Sequence, residues 1–185
     1  METGENKYQK KIITIPNILS FIRLCLIPII VWLYIGKQDY LLAGIFVLIS
    51  GLTDVVDGWI ARTFNMISSF GKVLDPIADK STQAVVVLLL STRYPLMWIP
   101  FSIGIIKEIF MLVSGYFVIR KCSIVLGAEW HGKLATVILT LTMALHLFLF
   151  NIPAVISNTT IILSALSILL TLILYAKRNL RYLLK

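Results

Sequence analysis

The stretch TDVVDGWIARTFNMISSFGKVLDPIADK, residues 53–80, sets four aspartates, Asp54, Asp57, Asp75 and Asp79, inside an otherwise apolar chain. Carboxylates at membrane depth are costly to place, so four in one segment mark a functional site, and oxygen-only ligands suit divalent cations. Outward from that stretch the composition departs from that of a soluble domain: 58% of the 185 residues are hydrophobic and only 14% are charged. The solvent is therefore lipid. Apolar segments of spanning length near residues 18–35, 41–60, 74–91, 96–119, 134–150 and 154–176 predict an all-α, polytopic membrane protein with six transmembrane helices, one domain over residues 1–185.

Residues 1–14 form a cytoplasmic or interfacial segment. Tyr8, Ile12, Ile13 and Ile15 alternate with Lys7, Lys10 and Lys11, the pattern of a short helix lying in the membrane interface behind a frayed tail. The first span is long, lacks a small-residue cleavage pattern and is followed by further spans, so it reads as an uncleaved helix and not as a signal peptide. Basic residues fix the orientation. Lys7, Lys10, Lys11, Arg62, Lys72, Arg120, Lys121, Lys133, Lys177, Arg178, Arg181 and Lys185 fall on one side, and Lys37 and Arg93 on the other. Both termini and the acidic stretch are expected on the cytoplasmic side of an integral plasma or inner membrane protein. The net charge of +8 then faces anionic headgroups and implies no nucleic acid.

Asp54 and Asp57 are three residues apart near the end of the second span, and Asp75 and Asp79 four apart at the start of the third, so each pair shares a helix face. The short connection at 63–70 is expected to make the two helices antiparallel neighbours and to bring the pairs to one depth. Alone, such a cluster would repel itself and take up protons. Divalent cations of the Mg²⁺, Mn²⁺ or Ca²⁺ type remove that cost, whereas zinc or copper would favour nitrogen or sulfur. Two metals about 4 Å apart can stabilise both the attacking and the leaving oxygen in displacement at phosphorus. Gly58 and Gly71 leave room for close approach, and Arg62 offers a fork of donors for phosphate oxygens. Two duller readings stand beside these: Asp75-Pro76 has the form of a helix cap, and Arg62 that of a positive-inside boundary residue.

The run Asp54-x-x-Asp57-Gly58-x-x-Ala61-Arg62, eight residues, Gly71-x-x-x-Asp75-x-x-x-Asp79 closely resembles the signature of the CDP-alcohol phosphotransferase family. These are membrane enzymes that displace CMP from a CDP-linked alcohol with the hydroxyl of a second alcohol. The resemblance implies that Asp54, Asp57, Asp75 and Asp79 ligate a two-metal Mg²⁺ or Mn²⁺ site and that Asp79 also takes the proton from the attacking hydroxyl. It further implies that Asn17, Gly58, Arg62 and Ser68 contact CDP-diacylglycerol, and that the protein is a homodimer.

For the acceptor, IIKEIFMLVSG around Lys107 and His131-Gly132-Lys133 with Thr136 resemble the phosphatidylglycerophosphate synthases. Lys107, Arg120 and Lys133 are the candidates for holding the phosphate of glycerol 3-phosphate. Ser114-Gly115-Tyr116 and Ala135 depart from that pattern and leave open the CMP-forming cardiolipin synthases, whose acceptor is phosphatidylglycerol. Lys107 and Glu108, being adjacent, are not expected to pair. His146 reads as a satisfied interior residue and His131 as a headgroup neighbour. Cys25 and Cys122 read as buried fillers, and Trp32, Trp59, Trp98 and Trp130 as interfacial anchors. A cation transporter would also use intramembrane aspartates, but its paired, interrupted helices are not echoed here, since the acidic array occurs once.

Overall fold

The computed structural model describes residues 14–64, 68, 70–122, 124, 127 and 129–184, apart from the side chains of Arg62 and Lys72. The expected interfacial helix, except Thr14, lies outside the described residues. Helices are the only extended elements among them, and five are long and apolar enough to cross a membrane: Ile15–Gly36, Tyr40–Ala61, Pro95–Cys122, Trp130–Phe148 and Ala154–Leu184. The remaining helix, Gly71–Arg93, has spanning length at 23 residues, but Lys72, Asp75, Asp79 and Lys80 occupy its first half and leave an apolar run only at 84–90. The chain is thus a polytopic all-α membrane protein. It divides into two compact units, Met1–Leu89 and Leu90–Lys185.

In the first unit, α1 (Ile15–Val31) starts where the Thr14 side chain accepts the Asn17 backbone N–H at 3.4 Å, with Pro16 in the first turn. Pro28 has no N–H to donate. Shortly after it the helix widens into a π-turn at Trp32–Gly36, closed by the Lys37 N–H on the Trp32 carbonyl at 3.1 Å. Gln38 takes the left-handed conformation, φ 54°, where the chain reverses. Asp39 then caps α2 (Tyr40–Thr63) by accepting the Leu42 N–H at 3.0 Å. The result is a helical hairpin in which α1 and α2 pack along each other. The third helix, α3 (Gly71–Arg93), begins in this unit. Small and polar side chains, Ser20, Ala43, Ser50 and Ala78, are buried, while Phe21, Leu48, Leu52 and Val55 point outward. That inside-out pattern is the one lipid selects, because close backbone approach, not exclusion of water, holds helices together there.

The second unit holds a 3₁₀ turn at Pro95–Met97, α4 (Trp98–Cys122), α5 (Trp130–Phe148) and α6 (Ala154–Leu184), with α6 packed on both α4 and α5. Only Pro100, Ser114 and Val118 of α4 are buried, as expected of an apolar helix facing lipid. Polar ties replace hydrophobic driving force. Asn179 Nδ2 donates to Ser114 Oγ at 2.7 Å, joining α6 to α4. Between α5 and α6, His146 Nε2 lies 2.9 Å from Ser157 Oγ and Thr171 Oγ1 donates to the His131 carbonyl at 3.4 Å.

Near the start of α5, Glu129 ties the same two helices: its carboxylate accepts from Arg178 at 2.8 Å and lies 3.0 Å from His131 Nε2, and its N–H donates to Tyr175 Oη at 2.9 Å. The Arg178 hydrogen bond first, and that of His131 after it, holds the Glu129 carboxyl below its usual range despite some burial. The latch is therefore complete at neutral pH and weakens only as acid protonates it. Here the helices meet closely, since a Cβ on Gly132 would collide with Tyr175 Oη and sit 3.2 Å from its ring carbon. Gly132→Ala should cost about 1–3 kcal/mol and appear as a lowered Tm of the detergent-solubilised protein.

Three expectations are corrected. Lys107 and Glu108 do pair, Nζ to Oε1 at 2.9 Å, because two long side chains can bend together and their attraction is strong in apolar surroundings. His131 does not face headgroups. It is 8% exposed and packs on Tyr175, with ring centroids 4.7 Å apart, because the small Gly132 lets α6 close over it. Cys25 is exposed and Cys122 half-buried, since in a lipid-solvated helix outward positions take apolar side chains too. The duller rival reading of Asp75 as a helix cap falls away, since α3 already begins at Gly71, one turn earlier. His146 is fully buried and satisfied, as expected, by the Thr142 carbonyl at 2.8 Å and Ser157. The four tryptophans are all exposed, Trp32, Trp98 and Trp130 at helix ends and Trp59 in the last turns of α2.

Candidate active site

Asn17, Ser20 and Arg23 recur every three residues along α1 and are all buried, so they form one polar stripe on an otherwise greasy helix. The stripe is what gathers the acidic residues of the first unit. Arg23, only 1% exposed, reaches α2 with both terminal nitrogens: Nη1 donates to Asp54 Oδ1 at 2.5 Å and Nη2 to Asp57 Oδ2 at 2.9 Å. Asp54 and Asp57 can share one guanidinium because three residues of helix put them on neighbouring parts of one face. Ser20 Oγ lies 3.5 Å from Asp57 Oδ2 and hydrogen-bonds Asp75 on α3. Two side chains of α1 thus hold three carboxylates from two other helices.

Asp57 is the most enclosed of the aspartates at 3% exposure; Asp54 and Asp75 are half-buried. Asp79 stands one helical turn beyond Asp75 and is exposed. Gly58 is half-buried on α2 directly after Asp57. Arg62 is the next turn of α2, and its side chain lies outside the described residues.

A second cluster forms at the start of α1. Asn17 and Ser68, both buried, exchange hydrogen bonds at 2.9 and 3.0 Å, and Ser68 Oγ also accepts the Gly71 N–H at 2.8 Å. Residues 51 apart in sequence are therefore locked to the first turn of α3. Gly71 is required by contact: a Cβ there would collide with the Asn17 side-chain Oδ1 and meet Ser68 Oγ at 3.0 Å. Gly71→Ala is expected to push Asn17 off Ser68 and to appear as a lowered Tm of the detergent-solubilised protein.

Lys107, Arg120 and Lys133 lie in the second unit. Lys107 is largely buried and engaged with Glu108; Arg120 is exposed, with Nη1 3.4 Å from Tyr116 Oη; Lys133 is exposed on the first turn of α5. The sequence reading missed Arg23 and Ser20. The signal was present, since an arginine in mid-span is as costly as the aspartates and needs an acidic partner.

Among the described residues, no three acidic, histidine or cysteine side chains close on one point as a formed metal centre would. The donor set nevertheless fits a hard divalent cation. Asp54, Asp57 and Asp75 offer only oxygen, they are gathered by two shared partners, and the intervening guanidinium is a pure donor that cannot itself ligate. Arg23 Nε is buried without a hydrogen-bond partner among the described residues.

Comparison with known proteins shows the family. The family model for CDP-alcohol phosphatidyltransferase matches residues 13–176. A probable phosphatidylglycerophosphate synthase of Mycobacterium tuberculosis is 30% identical over 188 residues, covering 97% of this chain and 88% of that protein. The CDP-diacylglycerol--glycerol-3-phosphate 3-phosphatidyltransferase of Aquifex aeolicus is 27% identical over 177 residues, 92% of this chain and 98% of the relative. A Schizosaccharomyces pombe fusion of CMP-forming cardiolipin synthase with a mitochondrial hydrolase is 45% identical over 86 residues. That match covers 46% of this chain and only 14% of the fusion protein. Since the matched model takes in both units and every carboxylate of the acidic stretch, the chain belongs to the CDP-alcohol phosphatidyltransferase family and is an enzyme.

Proposed function

We propose that the protein is a CDP-diacylglycerol–glycerol-3-phosphate 3-phosphatidyltransferase, making phosphatidylglycerophosphate in phospholipid synthesis, with both units serving one catalytic domain. The observation that carries this reading is the gathering of Asp54, Asp57 and Asp75 around Ser20 and Arg23. The choice of acceptor is supported by two relatives reported above that match nearly the whole chain, both named for that product or reaction.

Enzymes of this family generally use a divalent metal, and Asp54, Asp57, Asp75 and Asp79 would hold it here as a two-metal Mg²⁺ or Mn²⁺ site. When bound, it supplies stabilisation of the negative charge that develops on the phosphate oxygens. The remaining work falls to the chain. Arg23 and Ser20 aim the carboxylates, while Gly58, Arg62, Asn17 and Ser68 receive the nucleotide and its phosphates. Lys107, Arg120 and Lys133 hold the acceptor phosphate. Asp79 takes the proton of the acceptor hydroxyl as its oxygen bonds to the lipid-side phosphorus; the bond from that phosphorus to the bridging oxygen breaks, and CMP leaves with the electron pair. The basic flanks support an orientation with both termini and the site cytoplasmic, and the family supports a homodimer.

The identity to the cardiolipin synthase portion of the fusion protein favours one alternative, phosphatidylglycerol as acceptor. An acceptor panel decides between them. CMP release from CDP-diacylglycerol should require Mg²⁺ or Mn²⁺, stop with chelator, and proceed with glycerol 3-phosphate but not with phosphatidylglycerol, inositol phosphate or serine. Turnover with phosphatidylglycerol alone would replace the proposed acceptor.

A further inference from the structure

Arg23 places a positive charge inside the carboxylate cluster that the phosphatidyl-transfer reading gives to a divalent cation. Arg23 and Asp57 are both buried, so water screens that charge poorly. A guanidinium cannot relieve repulsion by losing its proton, since it stays protonated in proteins. Nor can it easily leave. It belongs to the buried stripe of α1, its Nη2 lies 3.4 Å from Ser20 Oγ, and its two terminal nitrogens engage Asp54 Oδ1 and Asp57 Oδ2 on α2. Any cation drawn to those carboxylates therefore meets a resident one already bonded to them.

Charge then decides what the site can accept. Two divalent cations alone would balance the carboxylates of Asp54, Asp57, Asp75 and Asp79. With Arg23 among them the same two cations leave a net positive charge, which the doubly negative pyrophosphate of a CDP-linked lipid offsets. A neutral donor such as glutamine could tie α1 to α2 without this consequence.

We propose that Arg23 sets the metal affinity of the acidic site: it opposes the divalent cation while no nucleotide is bound, and so makes metal loading depend on the pyrophosphate of the substrate. The inference rests on the reading of the aspartates as metal ligands in phosphatidyl transfer. Arg23 is a positioning residue in this role, since it acts through the carboxylates it shares with the metal. Linkage makes the effect reciprocal, so the metal raises the affinity for the lipid by the same factor.

The test uses the full-length protein in a neutral detergent, with Mn²⁺ binding followed by electron paramagnetic resonance in the presence and absence of CDP-diacylglycerol and with no acceptor alcohol added. In the wild type the lipid should lower the Mn²⁺ midpoint about tenfold or more, the scale on which one neighbouring charge moves an ionic equilibrium. Arg23→Gln should bind Mn²⁺ about tenfold more tightly than the wild type when the lipid is absent, and gain less from its addition. A role confined to aiming the carboxylates would instead weaken binding in this variant. Arg23→Lys, whose ammonium can shed its proton when buried, should fall between the two and carries the comparison if Arg23→Gln does not fold. A lipid-free midpoint in either variant equal to or above that of the wild type would overturn the proposal, as would a wild-type midpoint that ignores the lipid. Those outcomes leave the metal site standing. Absence of Mn²⁺ binding to the wild type with the lipid present would remove the site and the proposal together.

Discussion

Asp79→Asn is expected to lower the rate of CMP release by about 10² to 10⁴-fold, the usual contribution of a positioned general base and equivalent to roughly 3–5 kcal/mol of barrier. Asparagine keeps the size and polarity of the side chain but cannot take the acceptor proton. Because Asp79 is exposed, the substitution should leave Tm nearly unchanged, and a loss of activity without a loss of stability separates chemistry from folding. Measured by release of labelled CMP under saturating glycerol 3-phosphate, the defect should lie in kcat. Wild-type turnover in this variant would remove Asp79 from the base role.

Arg23→Ala should damage both stability and activity, for a different reason. Arg23 is 1% exposed and pairs with Asp57, itself 3% exposed, so its removal strands a buried carboxylate. Breaking such a pair costs about 3–5 kcal/mol, whereas Asp54, whose side chain is 45% exposed, recovers much of its loss from water. For a chain of this length that corresponds to a fall in Tm on the order of 10 °C. Arg23→Lys should fall between, since one ammonium cannot span two carboxylates as the planar fork does. The double variant Arg23→Ala, Asp57→Asn should regain stability relative to Arg23→Ala, because no charge is then stranded, yet remain inactive. If Arg23→Ala melts like the wild type, the ion pairs do not organise the first unit.

Much of this molecule was legible in its sequence because lipid imposes so few solutions. Backbone groups must pair within each segment, so long apolar runs had to be helices, and the observed helices contain most of each expected span. The ends shifted where local chemistry intervened. Pro28 precedes the π-turn that ends the first span, and the Ser68 hydroxyl on the Gly71 N–H starts α3 before Asp75. In the third span, the carboxylates that identify the site also make half of α3 polar.

At the site, the spacing of Asp54, Asp57, Asp75 and Asp79 was readable as pairs on helix faces, as was the need for glycine at position 71. Which side chains hold those pairs was not. Helical periodicity says that residues 17, 20 and 23 share a face, but only packing decides that this face meets the aspartates. The Lys107–Glu108 contact escaped for a related reason: spacing rules describe short, stiff side chains on a wet helix, and these two are long and shielded from water. His131 was placed at the headgroups by its neighbour Trp130, whereas the contact that buries it comes from Tyr175, 44 residues away.

On the proposed reading, the carboxylates gathered by Ser20 and Arg23 constitute one divalent-cation site serving phosphatidyl transfer. Electron paramagnetic resonance of Mn²⁺ titrated into the purified protein with CDP-diacylglycerol measures that directly, without reference to turnover. Binding to the wild type should be saturable, displaced by excess Mg²⁺ and lost in Asp57→Asn. Undiminished Mn²⁺ binding in Asp57→Asn, or none in the wild type, would contradict that reading.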